Sequence, residues 1–270
     1  MSSEAGLLLR LAGPLQSWGE RSKFNERDTA PFPTRSGVIG LLAGALGRRR
    51  GEDIGDLARL SLTVRADRPG VLLRDLHTVG GGLPARHTVT TAEGKKRPAA
   101  AATLLSHRHY LADAVFTVAL TGPADLLQTC AAALREPFWP PYLGRRSCPP
   151  EGPLLLGEFD DVHRHLLDLP LARTRRGAAG TVPVVFHSDR PLTHLAPAAA
   201  DTDSGSEPAG QVNDQPLNFH PHRRAYQSRA RYQRTLHLPA DRCHGLGADY
   251  LKALAAYLAP HPTRPEGTPA

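Results

Sequence analysis

The residues of this 270-residue chain that could do chemistry fall into three groups. Thr34-Arg35-Ser36-Gly37 follows Pro33 and opens an apolar helix whose core face reads Val38, Leu41, Leu42, Ala45 and Leu46. The unpaired amides of a helix start and the helix dipole both favour negative charge, so with Arg35 alongside this is a candidate phosphate site; an ordinary capped helix start is the alternative. Phe138-Trp139-Pro140-Pro141-Tyr142-Leu143-Gly144-Arg145-Arg146-Ser147-Cys148-Pro149-Pro150 places aromatic faces beside guanidinium groups. That mixture suits stacking on unpaired bases and gripping phosphates, and equally suits simple loop packing. His107-Arg108-His109, with Lys95 and Lys96 nearby in sequence, supplies a general acid or base and cations for a phosphorane, the ingredients of metal-independent RNA cleavage.

Other chemistry is absent from the sequence. Three His-x-His pairs, His107/His109, His163/His165 and His220/His222, could each put two imidazoles on one strand face, but no acidic or cysteine partner stands at ligand spacing, so no metal or other cofactor is expected. No GxxxxGK[ST], GxGxxG, HExxH or GxSxG pattern occurs, which leaves nucleotide hydrolysis, dinucleotide redox chemistry, zincin proteolysis and the α/β-hydrolase route without support. Cys130, Cys148 and Cys243 are odd in number and widely spaced, unlike a disulfide framework or zinc ribbon.

The elements that must position these residues follow from periodicity. Leu7-Leu8-Leu9-Arg10-Leu11 is a short apolar run stopped by Gly13-Pro14, hence a central strand, and Leu60 to Ala66 alternates as a half-buried strand does. Residues 74–112 carry few large apolar side chains and a Gly80-Gly81-Gly82 run, and read as an extended basic hairpin inserted in the fold. Ala114 to Leu120 is a nearly all-apolar central strand, and Ala124 to Leu134 a helix burying Leu126, Leu127, Cys130, Ala131 and Leu134. Strand, helix, strand, hairpin, strand, helix is most of a ferredoxin-like β-α-β-β-α-β unit. The expected architecture is therefore α+β: a ferredoxin-like (RRM-like) domain over 1–150, and a smaller β-rich region over 151–245. Within the latter, 181–186 is an edge strand because Pro183 cannot donate to a ladder, and 196–216 is a flexible loop. A terminal helix and disordered tail fill 246–270.

Composition sets the partner class. The net charge is +7, with 29 arginines among 33 basic residues, and five arginines with two tyrosines fall between Arg223 and Arg234. Clustered arginine of this kind leans towards a polyanion. With neither an apolar leader behind a basic start nor a run of about 18 apolar residues, a cytoplasmic protein with no membrane partner is expected.

Several blocks together resemble the Cas-five family of CRISPR Cascade subunits, in its type I-E form. They are Leu9-Arg10-Leu11-Ala12-Gly13-Pro14-Leu15-Gln16-Ser17-Trp18-Gly19 with Phe32 to Leu42, then Leu73 to Val79, Arg108 to Leu120, and Pro141 to Pro149, in that order. They span roughly residues 7 to 159. The resemblance implies a repeat-associated (RAMP) ferredoxin-like fold in which the inserted hairpin is a basic thumb. It implies a subunit that holds the repeat-derived 5′ handle and first guide nucleotides of the CRISPR RNA, caps the backbone filament beside its neighbouring subunit, and contacts the large subunit. Target DNA is then met indirectly, through the guide. Because type I-E systems cut their RNA with a separate endonuclease, the resemblance implies binding and assembly without catalysis; type I-C relatives that cleave repeat RNA supply the alternative. Carried over by position, the RNA-binding set is Gln16, Trp18, Arg35, Ser36, Gly37, His77, Lys95, Lys96, Arg108, Tyr142, Arg145, Arg146 and Ser147. Residues 170–240 match the family only loosely, and the helix over 247–258 looks like an extension.

Overall fold

The computed structural model describes residues 3–20, 22–23, 25–91, 93–98, 101–175, 180–195 and 206–260. Among the described residues the fold is mixed α+β, built on a seven-stranded, wholly antiparallel sheet with four α-helices. Strand β1 (Gly6–Ala12) is buried along its whole length because both faces of the sheet are covered. Leu7, Leu9 and Leu11 enter one core with α1 (Arg35–Ala45) and α2 (Ala124–Arg135), while Leu8 enters a second core with α3 (Val162–Asp168) and α4 (Ala248–Leu258). That is why the run is apolar without alternation. Arg10 shares the second face: its guanidinium lies 5.5 Å from the Tyr250 ring centroid and donates to the carbonyls of Glu151 (3.0 Å) and Gly152 (2.9 Å).

Beside β1 run β8 (Val115–Thr121) on one side and β9 (Leu155–Phe159) on the other, and β5 (Ser61–Arg68) pairs with β8. The order of these four is β5-β8-β1-β9, with α1 between β1 and β5 in sequence and α2 between β8 and β9. Beyond β5 the sheet continues through β10 (Thr181–Ser188), β12 (Ala225–Pro239) and β11 (Pro208–Asn218).

Three local expectations are corrected. The polar positions of β5 do not face water: Arg65 and Asp67 are fully buried, Arg65 donates to Asp67 (2.5 Å) and to the carbonyls of Leu166 (2.6 Å), Leu169 (3.0 Å) and Pro170 (2.9 Å), and Thr117 donates to Asp67 (2.6 Å). The alternation is real, but the second face is covered by the end of α3, whose unpaired carbonyls Arg65 satisfies. Strand β10 is not an edge, since β12 pairs along it and β5 pairs with Val185 to Ser188. Pro183 sits in the half without a β5 partner, where Arg173 donates to its carbonyl (2.9 Å). Finally, 208–216 belong to β11 rather than to a flexible loop; ladder pairing with β12 and burial of Val212 and Asp214 hold a segment poor in apolar residues. The rest of that expected loop, 196–205, and the expected tail, 261–270, lie outside the described residues.

A second, smaller sheet carries the inserted segment. In it β6 (Val71–Val79) pairs with β7 (Leu104–Ala112), in register from Val71 opposite Ala112 to Val79 opposite Leu104. Two short strands meet β7 at its base: β2 (Leu15–Gln16) pairs with Leu111 and Ala112, and β4 (Glu26–Arg27) pairs in parallel with His107 and Arg108. The two-residue β3 (Ser22–Lys23) completes the sheet against β4.

Candidate nucleic-acid interface

The loop between α2 and β9 is pinned at two buried points. Leu143 and Cys148 are wholly enclosed in the α1/α2 core, the Leu143 N–H donates to the Cys148 carbonyl (2.8 Å), and the Ser17 N–H donates to the Leu143 carbonyl (3.1 Å). Burial pushes the Cys148 thiol up from its ordinary value, so it is an apolar anchor and not a nucleophile. Gly144 turns with φ +83°, and a Cβ there would stand 1.7 Å from the Ser17 carbonyl oxygen. Only glycine tolerates both conditions. The tight turn throws Arg146 and Ser147 outward and leaves Tyr142 and Arg145 half-buried.

Arg145 is the pivot of the interface. Its guanidinium lies 4.8 Å from the Tyr110 ring centroid and its Nη2 donates to the carbonyls of Arg27 (2.8 Å) and Asp28 (3.2 Å). Arg27 lies opposite Arg108 in the β4/β7 ladder. Loop, short strand and hairpin base therefore bring Arg27, Arg108 and Arg145 together. Within this cluster Arg145 Nη1 and Arg108 Nε are shielded from water and have no hydrogen-bond partner. Arg10, Arg35, Arg97 and Arg234 also leave an Nε unpartnered; what sets this place apart is that two such donors belong to one cluster, where a single acceptor supplied from outside would serve both.

The hairpin separates the remaining residues by face. In an antiparallel ladder directly opposed residues share a face and neighbours alternate. Tyr110, Arg108 and Ser106 thus share one with Leu73, Asp75 and His77. His77 pairs with Asp75 on its own strand (2.5 Å). His107 and His109 fall on the other face, with Arg74 opposite His109. The grouping of both histidines with Arg108 that the sequence suggested is not assembled, because adjacent strand positions point apart. In the connection between the hairpin strands, Lys95 is exposed while Lys96 Nζ is engaged by the Thr88 carbonyl (3.0 Å) and Thr90 Oγ1 (3.4 Å).

The rim expected along the first helix is occupied by the protein itself. The Arg35 N–H, at the start of α1, donates to Asp214 Oδ2 (2.7 Å), and Asp214 is also gripped by Arg229 through Nε (2.6 Å) and Nη2 (3.0 Å). The Arg35 guanidinium is buried against Asp189 and donates to the Ala58 carbonyl (2.9 Å). Burial pushes the Arg35 pKa down and that of Asp189 up, against the pull of their ion pair. The anion at this helix start is therefore the carboxylate of Asp214, brought by β11. Gln16 is fully buried: its Nε2 donates to the carbonyls of Leu11 (2.9 Å) and Ala114 (2.8 Å), and its Oε1 accepts from Trp18 Nε1 (3.0 Å). Trp18 packs against Gly37, where a Cβ would come within 2.6 Å of the indole. Ser36, half-buried, makes only a 3.5 Å contact with Thr34 Oγ1 among the described residues. Gln16, Trp18, Arg35 and Gly37 thus have structural partners within the protein, because the β11/β12 hairpin covers the helix start and the core takes up the side chains. Two members of the interface escaped sequence reasoning, Arg27 and Tyr110; nothing in the polar stretch before Phe32 signals that Arg27 pairs with the hairpin.

The fold is thus α+β with helices on both faces of the main sheet, and it gathers Arg27, Arg108 and Arg145 at the base of the hairpin. The family described as CRISPR-associated protein (Cas_Cas5) matches residues 6–244, and the chain belongs to that family. It is similar to the CRISPR system Cascade subunit CasD of Escherichia coli (strain K12), with 43% identity over 172 residues that make up 60% of this chain and 75% of the relative. A solved chain described as a CRISPR RNA-guided surveillance complex matches with a TM-score of 0.82 and 44% identity, covering 94% of this chain and 99% of its own. A second, described as the crystal structure of a Cas protein, matches with a TM-score of 0.53 and 34% identity over 90% of this chain and 98% of its own. These likenesses fall on the type I-E branch of the family.

Proposed function

We propose that this chain is a non-catalytic, RNA-binding Cascade subunit that holds the repeat-derived 5′ handle of a CRISPR RNA in the bacterial cytoplasm and caps the backbone filament beside its neighbouring and large subunits. The observation that carries the reading is the pair of shielded, unpartnered donors, Arg108 Nε and Arg145 Nη1, at the junction of hairpin and loop. Phosphate oxygens are the acceptors that such a guanidinium pair suits best. Tyr142, Arg146, Ser147 and Arg27 ring this point and are available to bases and backbone, with His77 further along the same hairpin face. The β5-β8-β1-β9 order, with one helix after β1 and one after β8, supports reading the central unit as ferredoxin-like, with β6 and β7 as its thumb. Separation of His107 and His109 from Arg108 across the hairpin supports binding over cleavage.

Co-expression with the other Cascade components and purification through a different subunit tests this. Arg108→Ala, and the double variant Arg145→Ala with Arg146→Ala, are expected to lose guide RNA or to expose its 5′ end to nuclease; full protection in both sinks the site. Incubating the purified chain with repeat RNA in EDTA tests the alternative, since specific cleavage abolished by His107→Ala or His109→Ala makes it an endoribonuclease.

A further inference from the structure

A second surface of the same chemical kind lies at the far end of α1 from Gly37 and Trp18. Three segments distant in sequence meet there. Phe138 donates its N–H to the Ala45 carbonyl (2.9 Å) and lays its ring against Gly47, where a Cβ would come within 2.8 Å of it. The turn between β11 and β12 arrives from the other side: a Cβ built on Gly40 would stand 3.8 Å from the Phe219 ring, and one on Gly51 3.7 Å from the His220 ring. Phe138 is nevertheless 70% exposed and Trp139 37%, set edge to face at 5.0 Å between ring centroids. Folding has fixed Phe138 by its backbone and left both rings open to solvent, which costs apolar burial unless something stacks on them.

The charge around the rings is positive. Arg49 and Arg50 stand on the turn that follows Gly47, and Arg223 and Arg224 follow the His220 contact; all four are exposed, and none makes a side-chain hydrogen bond or ion pair among the described residues. Glu52 and Asp53 share the first turn, but Asp53 is bent back to accept the Gly55 N–H (2.9 Å). By contrast, Arg48 is committed to Asp56 in a bidentate pair. The chain thus neutralises one arginine of the Arg48-Arg49-Arg50 run and leaves two free beside exposed aromatics.

We propose that this face, made of Arg49, Arg50, Phe138, Trp139, Arg223 and Arg224, is a second polynucleotide site that takes a single strand, its bases stacked on the two rings and its phosphates on the four guanidiniums. An unpaired strand fits because every base offers a face to stack while duplex bases do not, and because phosphates at single-strand spacing match arginines placed on both sides of an aromatic pair. Segment 138–147 runs along α1 from this face to the Arg145 cluster, so one continuous strand or two separate strands can occupy the two sites. The proposal does not depend on the handle assignment.

The test uses the full chain in an Arg108→Ala, Arg146→Ala background, so that binding at the first interface is weakened and a failure there is seen separately. Fluorescence anisotropy with labelled 15-nucleotide oligo(dT) and oligo(U) is measured across a salt series. Phe138→Ala with Trp139→Ala is expected to weaken binding at least about tenfold for the strand the site prefers. Replacing Arg49 and Arg50 by Gln is expected to flatten the slope of log K against log salt by about 1.4, and adding Arg223→Gln and Arg224→Gln by about 2.8 in all. The four arginines are exposed and, among the described residues, unpaired, so melting temperatures should hold in the Gln variants, and the aromatic variant is read at a temperature where it remains folded. Equal loss with both oligomers assigns the site to any single strand, and loss with one alone assigns it to DNA or to RNA. Unchanged affinity and slope in the variants, or an effect of the aromatic pair on co-purification of a protein with the salt slope intact, overturns the proposal.

Discussion

Replacing Asp214 by alanine separates a structural helix start from a phosphate site. The carboxylate is fully buried, receives the Arg35 N–H at 2.7 Å, and receives Arg229 through two further bonds at 2.6 and 3.0 Å. Its removal leaves the largely buried Arg229 guanidinium without its counter-charge and the first amide of α1 without an acceptor. Breaking a buried ion pair from one side costs about 3–5 kcal/mol, of which an unmade helix-start bond accounts for about 1 kcal/mol. Against a typical folding stability of about 5–15 kcal/mol this is a large fraction, readable as a fall in the urea midpoint followed by circular dichroism at unchanged slope. At temperatures where the variant remains folded, guide-RNA retention should match the parent. A loss below about 1 kcal/mol, or guide RNA lost from the folded variant, would refute the reasoning that the β11/β12 hairpin supplies the anion for this helix.

Two more perturbations follow from the same geometry. His187, stacked on Phe32 at 4.3 Å with Arg231 beside it, has its pKa pushed down to about 4 by burial and then by that positive charge. In the unfolded chain it titrates near 6.5, so the unfolded state binds the extra proton first; stability is level above about pH 6.5 and falls between about 6.5 and 4, by about 3 kcal/mol for this residue. Urea midpoints measured down this range should fall less steeply in His187→Gln, and equal slopes would show that another group carries the acid sensitivity. Gly144→Ala puts a methyl group onto the Ser17 carbonyl at a positive φ and should lower the melting temperature while displacing Arg145 from Tyr110; guide RNA bound at parental affinity by the variant would show that the loop's position does not matter to binding.

The run 7–11, the strand near 115 and the faces of α1 and α2 were legible because apolar periodicity is written into neighbouring residues and stops at Gly and Pro. The inserted hairpin was legible by its contrast with the core around it. Edge or interior status was not, as Pro183 shows, because it depends on which strands arrive from elsewhere.

By itself the sequence determined the α+β class, the positive charge, the loop at 142–147 and, through the order of its blocks, the family. Those are properties of composition and of short windows. Only the tertiary structure decided which cations are free. Arg35 and Arg229 look no different in sequence from Arg108 and Arg145, yet Asp214 and Asp189, nearly 180 and just over 150 residues beyond Arg35, give the first pair carboxylate partners inside the protein, with Arg35 Nε alone left over. The second pair keeps two shielded donors without acceptors at the hairpin base. Whether a guanidinium serves the fold or a ligand is set by the acceptors within about 3 Å of it, and those come from segments that spacing along the chain does not connect.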